Sequence, residues 1–204
     1  MSYLLQAEFQ TYWHIGTGRG SGQNLDALVE KDEHGLPFIP GKTVKGLFRD
    51  AFFKLDAWSN QSHTDLLFGI RTAEGKQTRD ETQAGILRFS NLHLIERDYL
   101  IENDANNENK LIPHLFQTQA STAIDEETGS AKEKSLRMIE VVVPVTLIGE
   151  IDYLPPITDS EWGQKQQALV EILPNQLATA ASLITHIGAN KNRGMGRVRL
   201  EVKA

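Results

Sequence analysis

The stretch Gly35-Leu-Pro-Phe-Ile-Pro-Gly-Lys-Thr-Val-Lys-Gly46 runs straight into a helical pattern. Val44, Leu47, Phe48, Ala51, Phe52 and Leu55 recur at spacings of three and four, which predicts a first helix at about 43–55. Pro40 and Gly41 mark its start. The stretch comes close to a nucleotide-binding P-loop and fails its spacing. That loop has four residues between its first glycine and Gly-Lys-Thr; here five intervene, two of them proline. The prolines remove amides that a phosphate would need and stiffen the turn. ATP or GTP binding at this site is therefore excluded. Lys42, Lys45 and Arg49 form one basic stripe off the core face of the helix. Such a stripe fits phosphate binding and a solvated helix face equally well.

Outward from this stretch, residues 5–15 alternate. Leu5, Ala7, Phe9, Trp13 and Ile15 fall on one face and Gln6, Glu8, Gln10 and His14 on the other, as in a half-buried strand. Residues 59–82 read as a long polar loop, 86–94 as a second strand and 103–110 as a polar turn. Segments 115–124 and 136–151 read as extended around the polar tip Asp125-Glu-Glu-Thr-Gly-Ser-Ala-Lys-Glu-Lys134, a protruding hairpin with Gly129 at its turn. A helical region opens near Thr158, with Glu161 as a capping-box partner, and Pro174 splits it. Leu177, Ala181, Ile184 and Ile187 make the buried stripe of its second piece. Val198, Leu200 and Val202 alternate with charged residues in a terminal strand. The order is α+β, close to a ferredoxin-like βαββαβ unit with loop insertions.

Gly188-Ala-Asn-Lys-Asn-Arg-Gly-Met-Gly-Arg197 precedes that last strand. Gly188 suits a helix C-cap, but Gly194 and Gly196 beside Arg193 and Arg197, with Lys191 nearby, predict a backbone lying close to a phosphate-bearing ligand. The glycines of residues 16–22 alternate strictly, so no dinucleotide fingerprint forms. That segment reads as a linker whose Arg19 is placed to touch phosphate. Asp26, Glu30, Asp32 and Glu33 cluster before the proline-rich stretch; such runs are ordinarily solvated, yet a carboxylate beside a phosphate cradle suits a divalent metal. His14 and His34 are the histidines placed to act as general bases, and none of the six histidines pairs at metal-ligand spacing.

Composition bounds these readings. The chain has 204 residues, a net charge of −6 and no cysteine, so disulfides and thiolate metal sites are excluded. A free-standing nucleic-acid binder is ordinarily basic. Phosphate binding here must come from local patches. No apolar run is long enough to span a bilayer and no signal peptide pattern precedes the first strand, which predicts a cytoplasmic protein without membrane partners.

Taken together, Pro37-Phe-Ile-Pro-Gly-Lys-Thr-Val-Lys-Gly-Leu-Phe-Arg49 and Gly188–Arg197 resemble the two signatures of the repeat-associated mysterious protein (RAMP) superfamily of CRISPR systems. The first is similar to the proline-rich motif of type III effector backbone subunits, the second to the superfamily's glycine-rich loop. Leu67-Phe-Gly69, Gly85–Ser90 and Thr122–Ala131 resemble further family segments, so the likeness touches nearly the whole chain. It implies one RAMP domain over residues 1–204, a modified RNA-recognition, ferredoxin-like core with a thumb-like hairpin inserted at about 111–147. It also implies guide CRISPR RNA and target RNA as partners, with other effector subunits, among them related RAMP subunits or copies of itself. Arg19, Lys42, Lys45, Arg49, Lys191, Arg193, Gly194, Gly196 and Arg197 would hold RNA. In the backbone group an aspartate before the proline-rich motif cuts target RNA with a divalent metal (Mg or Mn). Asp26 matches it by position, with Asp32 as the alternative; Asn24-Leu25 and Ala27-Leu28 replace the usual neighbours. A non-catalytic capping subunit and a stand-alone guide-processing ribonuclease relying on His14 or His34 are the other members such a likeness admits.

Overall fold

The computed structural model describes residues 2–18, 20, 25–70 and 83–203. Arg19 and residues 71–82 of the 59–82 segment lie outside them. Strand β1 (Ser2–Phe9) carries a strict alternation, with Tyr3, Leu5, Ala7 and Phe9 buried. It lies at the centre of the main sheet. Helix α1 (Gly41–Ser59) follows, longer than the apolar spacing predicts because its last turn stays helical beyond the buried face. Then come α2 (Thr64–Phe68), β2 (Leu87–Phe89), β3 (His93–Leu94), α3 (Arg97–Asn106), β4 (Phe116–Ser121), β5 (Arg137–Val142) and β6 (Thr146–Tyr153). Helices α4 (Glu161–Leu169) and α5 (Leu173–Leu183) and strand β7 (Val198–Lys203) complete the order.

The main sheet runs β2-β6-β1-β7, with β3 also on β6, and every pairing is antiparallel. Leu5 sits opposite Gly149 on one side and Val202 on the other. One sheet face packs on α1 and α5. Phe48 and Phe52 of α1, Leu173 and Leu177 of α5, and Leu5, Leu147 and Ile151 of the sheet are almost wholly buried. Each such side chain contributes roughly 1.5–3 kcal/mol through burial. The opposite face is polar, and charges of β1 and β7 pair on it: Arg199 meets Glu8 at 2.6 Å and Glu201 at 3.5 Å, and Lys203 meets Glu201 at 3.3 Å.

Strands β4 and β5 form a separate antiparallel hairpin, Phe116 opposite Val142 and Ser121 opposite Arg137. The extended run predicted over 136–151 is in fact two strands, broken where Val143–Val145 leaves the hairpin for the sheet at Pro144. The predicted 86–94 strand is likewise broken, into β2 and β3. Pro174 lies in the first turn of α5, as the sequence indicates, while Ser160, not Thr158, caps α4 by accepting the Gly163 amide at 3.0 Å. The predicted polar turn at 103–110 overlaps α3, whose Leu100 packs with Leu36 and Leu94 in a small second core.

Candidate nucleic-acid interface

Strand β1 ends at Phe9, β7 begins at Val198 and β6 begins at Thr146, so the connections at one end of the sheet crowd together. Residues 10–16 leave β1 and bridge the hairpin through Trp13 and Val142. The glycine-rich loop folds over them: the Ala189 amide donates to the His14 carbonyl at 2.9 Å, the Gly196 amide to the Tyr12 carbonyl at 2.7 Å, and the Arg197 amide to Thr11 Oγ1 at 3.0 Å. Gly188, Gly194 and Gly196 all have positive φ, of 98°, 79° and 72°. A Cβ at Gly188 would collide with the His14 carbonyl and one at Gly196 with the Ile187 carbonyl, whereas one at Gly194 would meet open space. The close approach expected of a ligand at Gly196 is therefore made by the chain itself, and Gly194 is the glycine that leaves backbone exposed. Lys191, Arg193 and Arg197 are exposed on this loop and pair with no carboxylate among the described residues.

The proline-rich stretch plays a similar double role. Gly41 is buried where the start of α1 meets the Phe89–Ser90 backbone, and the Asn91 side chain accepts its amide at 2.9 Å. Beside that contact, Ile39 and Leu92 exchange two backbone hydrogen bonds. The stretch is thus a seat for α1 against the β2–β3 edge. Of the basic stripe, Lys42 is exposed, and Lys45 is half-buried. Burial, and then the neighbouring Arg49 guanidinium, lower the Lys45 ammonium below the ordinary lysine range. Arg49 is only 16% exposed and holds Asp65 of α2 at 2.9 Å. Its charge is spent within the chain, an outcome that the helix spacing could not reveal.

The acidic cluster separates into different roles. Asp26 is exposed and pairs with β5 twice: its amide donates to the Met138 carbonyl at 2.8 Å, and its Oδ2 accepts the Met138 amide at 2.7 Å. Its Oδ1 has no bond within the described residues. The Asp32 side chain is 5% exposed; it accepts the His34 and Leu36 amides and the Arg97 guanidinium at 3.2 Å. That carboxylate closes a turn and ties it to α3. His14 is not on an exposed strand face as the alternation predicts. It is 5% exposed, its Nδ1 donates to the Glu140 carbonyl at 2.7 Å, and its ring packs on Gly16. His34 is exposed beside Glu33 at 3.6 Å. No group of three or more His, Asp or Glu among the described residues is arranged to hold a metal ion. Asp26 offers one carboxylate oxygen, so any Mg ion here would take its remaining ligands from water and RNA phosphates, as that ion commonly does.

Glu140 is the residue the sequence reading missed. Its Oε2 accepts the Val29 amide at 3.0 Å and its Oε1 the Lys31 ammonium at 2.7 Å, and Lys31 lies 3.9 Å above the Phe116 ring. The signal was present as one carboxylate inside the apolar run Met138-Ile-Glu-Val-Val142. These bonds clamp residues 26–31 to the base of the hairpin. Glu140→Ala leaves a buried amide and a half-buried ammonium unpaired and is expected to cost about 2–4 kcal/mol. Glu140→Gln keeps an acceptor for Val29 and costs about 1 kcal/mol. Urea unfolding midpoints test this order; equal losses would mean that the acceptor for Val29 contributes nothing and the charge facing Lys31 carries the whole effect.

The family model described as the RAMP superfamily matches residues 6–199. The chain is similar in fold to a chain of the cryo-EM structure of the Type III-B Cmr-beta bound to cognate target RNA, with 11% identity, a TM-score of 0.66, and coverage of 99% of this chain and 97% of that one. A chain of the Type III-B Cmr-beta apo state gives 12% identity and a TM-score of 0.64 at the same coverage. No curated protein matches in sequence. Among the described residues no helix is long and apolar enough to cross a membrane.

Proposed function

From the premise that this chain belongs to the RAMP superfamily, we propose that it is an RNA-holding subunit of a type III CRISPR effector complex. The observation that carries this reading is the sorting of its cations. Arg199 and Lys203 on the open sheet face are paired with carboxylates, while Lys42, Lys191, Arg193 and Arg197, on the glycine-rich loop and at the start of α1, have no carboxylate partner among the described residues. Local cation excess there suits a phosphate chain despite the net charge of −6. The sheet order β2-β6-β1-β7, with α1 and α5 as crossovers, supports a ferredoxin-like core forming one RAMP domain, and the β4–β5 hairpin supports the thumb reading. Guide CRISPR RNA, target RNA and neighbouring effector subunits are the proposed partners, in the cytoplasm; the likeness to a Cmr-beta chain in a complex with target RNA supports them.

Target cleavage is the second part of the proposal, with Asp26 holding Mg or Mn through its free oxygen. The metal would stabilise charge on the scissile phosphate; Asp26 would hold it, and the bond to Met138 would fix the carboxylate. In a reconstituted complex, Asp26→Asn keeps an acceptor for the Met138 amide and removes the charge. It is expected to abolish cutting while RNA binding is unchanged. Cutting at the normal rate by this variant would remove the catalytic role and leave an RNA-holding subunit. That non-catalytic reading has its own support, because Asp26 already serves as a backbone clamp and belongs to no group of three or more metal-ligating side chains among the described residues. For the guide-processing alternative, the burial of His14 and the use of its Nδ1 on Glu140 disfavour that residue and leave the exposed His34 as its candidate base.

A further inference from the structure

A concavity of about 700 Å³ lies between α1 and α2, and its polar groups are largely committed: Arg49 to Asp65, and Asp56 to the Thr64 hydroxyl and the His63 and Thr64 amides. A smaller pocket of about 400 Å³ is different. It opens between the residues following β1, the hairpin and the glycine-rich loop, and is lined by Gln10, Tyr12, Gln119, Pro144, Arg193 and Met195. The side chains of Gln10, Tyr12, Gln119 and Arg193 make no hydrogen bond or ion pair with other described residues. The backbone beneath them is fixed: the Gln10 amide donates to the Arg197 carbonyl at 2.8 Å and the Gly196 amide to the Tyr12 carbonyl at 2.7 Å. Met195 is 7% exposed and supplies an apolar floor.

This lining describes its ligand. Two carboxamides both donate and accept, so they suit a neutral edge bearing donors and acceptors together. A tyrosine ring with an apolar floor suits a flat ring. The lining holds one cation, Arg193, matched to one anionic group. One flat, neutral, hydrogen-bonding ring with one phosphate is a nucleotide unit, and unpaired RNA bases are read by stacking and edge contacts of this kind. The volume lies within the range of small-ligand pockets. We propose that this pocket reads one unpaired base of the bound strand. The base stacks on Tyr12, its edge meets Gln10 and Gln119, and its phosphate meets Arg193. The proposal rests on the RNA-holding reading and deepens it, because base identity at one position then affects affinity.

The test uses the full-length chain and single-stranded oligoribonucleotides carrying 5-iodouridine, with photocrosslinks mapped by mass spectrometry. Crosslinks are expected at Tyr12 or Met195. Tyr12→Ala is expected to remove them and weaken binding roughly tenfold, the contribution of one stacked base. Tyr12→Phe keeps the ring and retains both the crosslink and the affinity, which separates stacking from misfolding. Homopolymers of the four bases are expected to differ in affinity, and Gln10→Ala with Gln119→Ala to level them. Crosslinks confined to other segments, with Tyr12→Ala binding as tightly as wild type, would overturn the pocket while salt-dependent RNA binding keeps the broader reading intact. Absence of any salt-dependent RNA binding would overturn that reading, and the pocket with it.

Discussion

Replacing Lys191, Arg193 and Arg197 together by alanine is expected to lower the salt slope of single-stranded RNA binding by about 2, because each phosphate contact contributes about 0.7. Over a fourfold rise in salt, the affinity ratio between wild type and variant then shrinks roughly eighteenfold. All three side chains are exposed and free of carboxylate partners, so stability is expected to stay within about 0.5 kcal/mol of wild type. Arg199→Ala is the control: its guanidinium is held by Glu8 and Glu201 on the open sheet face, and its loss leaves the slope unchanged. Binding measured at several salt concentrations decides. An unchanged slope in the triple variant would take the phosphate path away from the glycine-rich loop.

The second large effect concerns the frame of that loop. Gly196→Ala is expected to destabilise the protein by about 3 kcal/mol, from the left-handed backbone and from overlap with the Ile187 carbonyl. Relief of that overlap must move the paired Ile187 amide and Gly196 carbonyl, now at 2.8 Å, and with them the entry to β7. Gly194→Ala has a similar φ but open space around its Cβ, and is expected to cost only about 1–2 kcal/mol. Guanidinium unfolding midpoints separate the two. Equal losses would show that φ alone sets the cost.

Much of this architecture was legible wherever a single period ran undisturbed. The alternation of β7, that of β1 as far as Phe9, the apolar spacing of α1 and the break at Pro174 all belong to that class. Helix α3 was not legible, because Tyr99, Leu100 and Ile101 are consecutive and only Leu100 is buried. The candidate site's cations could be picked out in the sequence, but their partners could not. Arg49 and Lys45 share a stripe, yet Asp65 takes the first. Asp26 and Asp32 share an acidic run, yet one pairs with β5 and the other with Arg97. The glycines carried the deepest ambiguity, since a sequence shows that backbone must come close without showing to what. At Gly41, Gly188 and Gly196 the neighbour is the chain's own carbonyls.

The place of β1 between β6 and β7 also bears on how the chain acquires its shape. The partners of Leu5 are Gly149 and Val202, so the central strand finds neither neighbour until most of the polypeptide exists. During synthesis the alternating apolar face of β1 therefore waits unpaired while α1 and the hairpin form from local contacts. Closing such distant pairs costs chain entropy before it returns any contact energy, which makes sheet closure the slow event and β1 the segment most in need of protection beforehand.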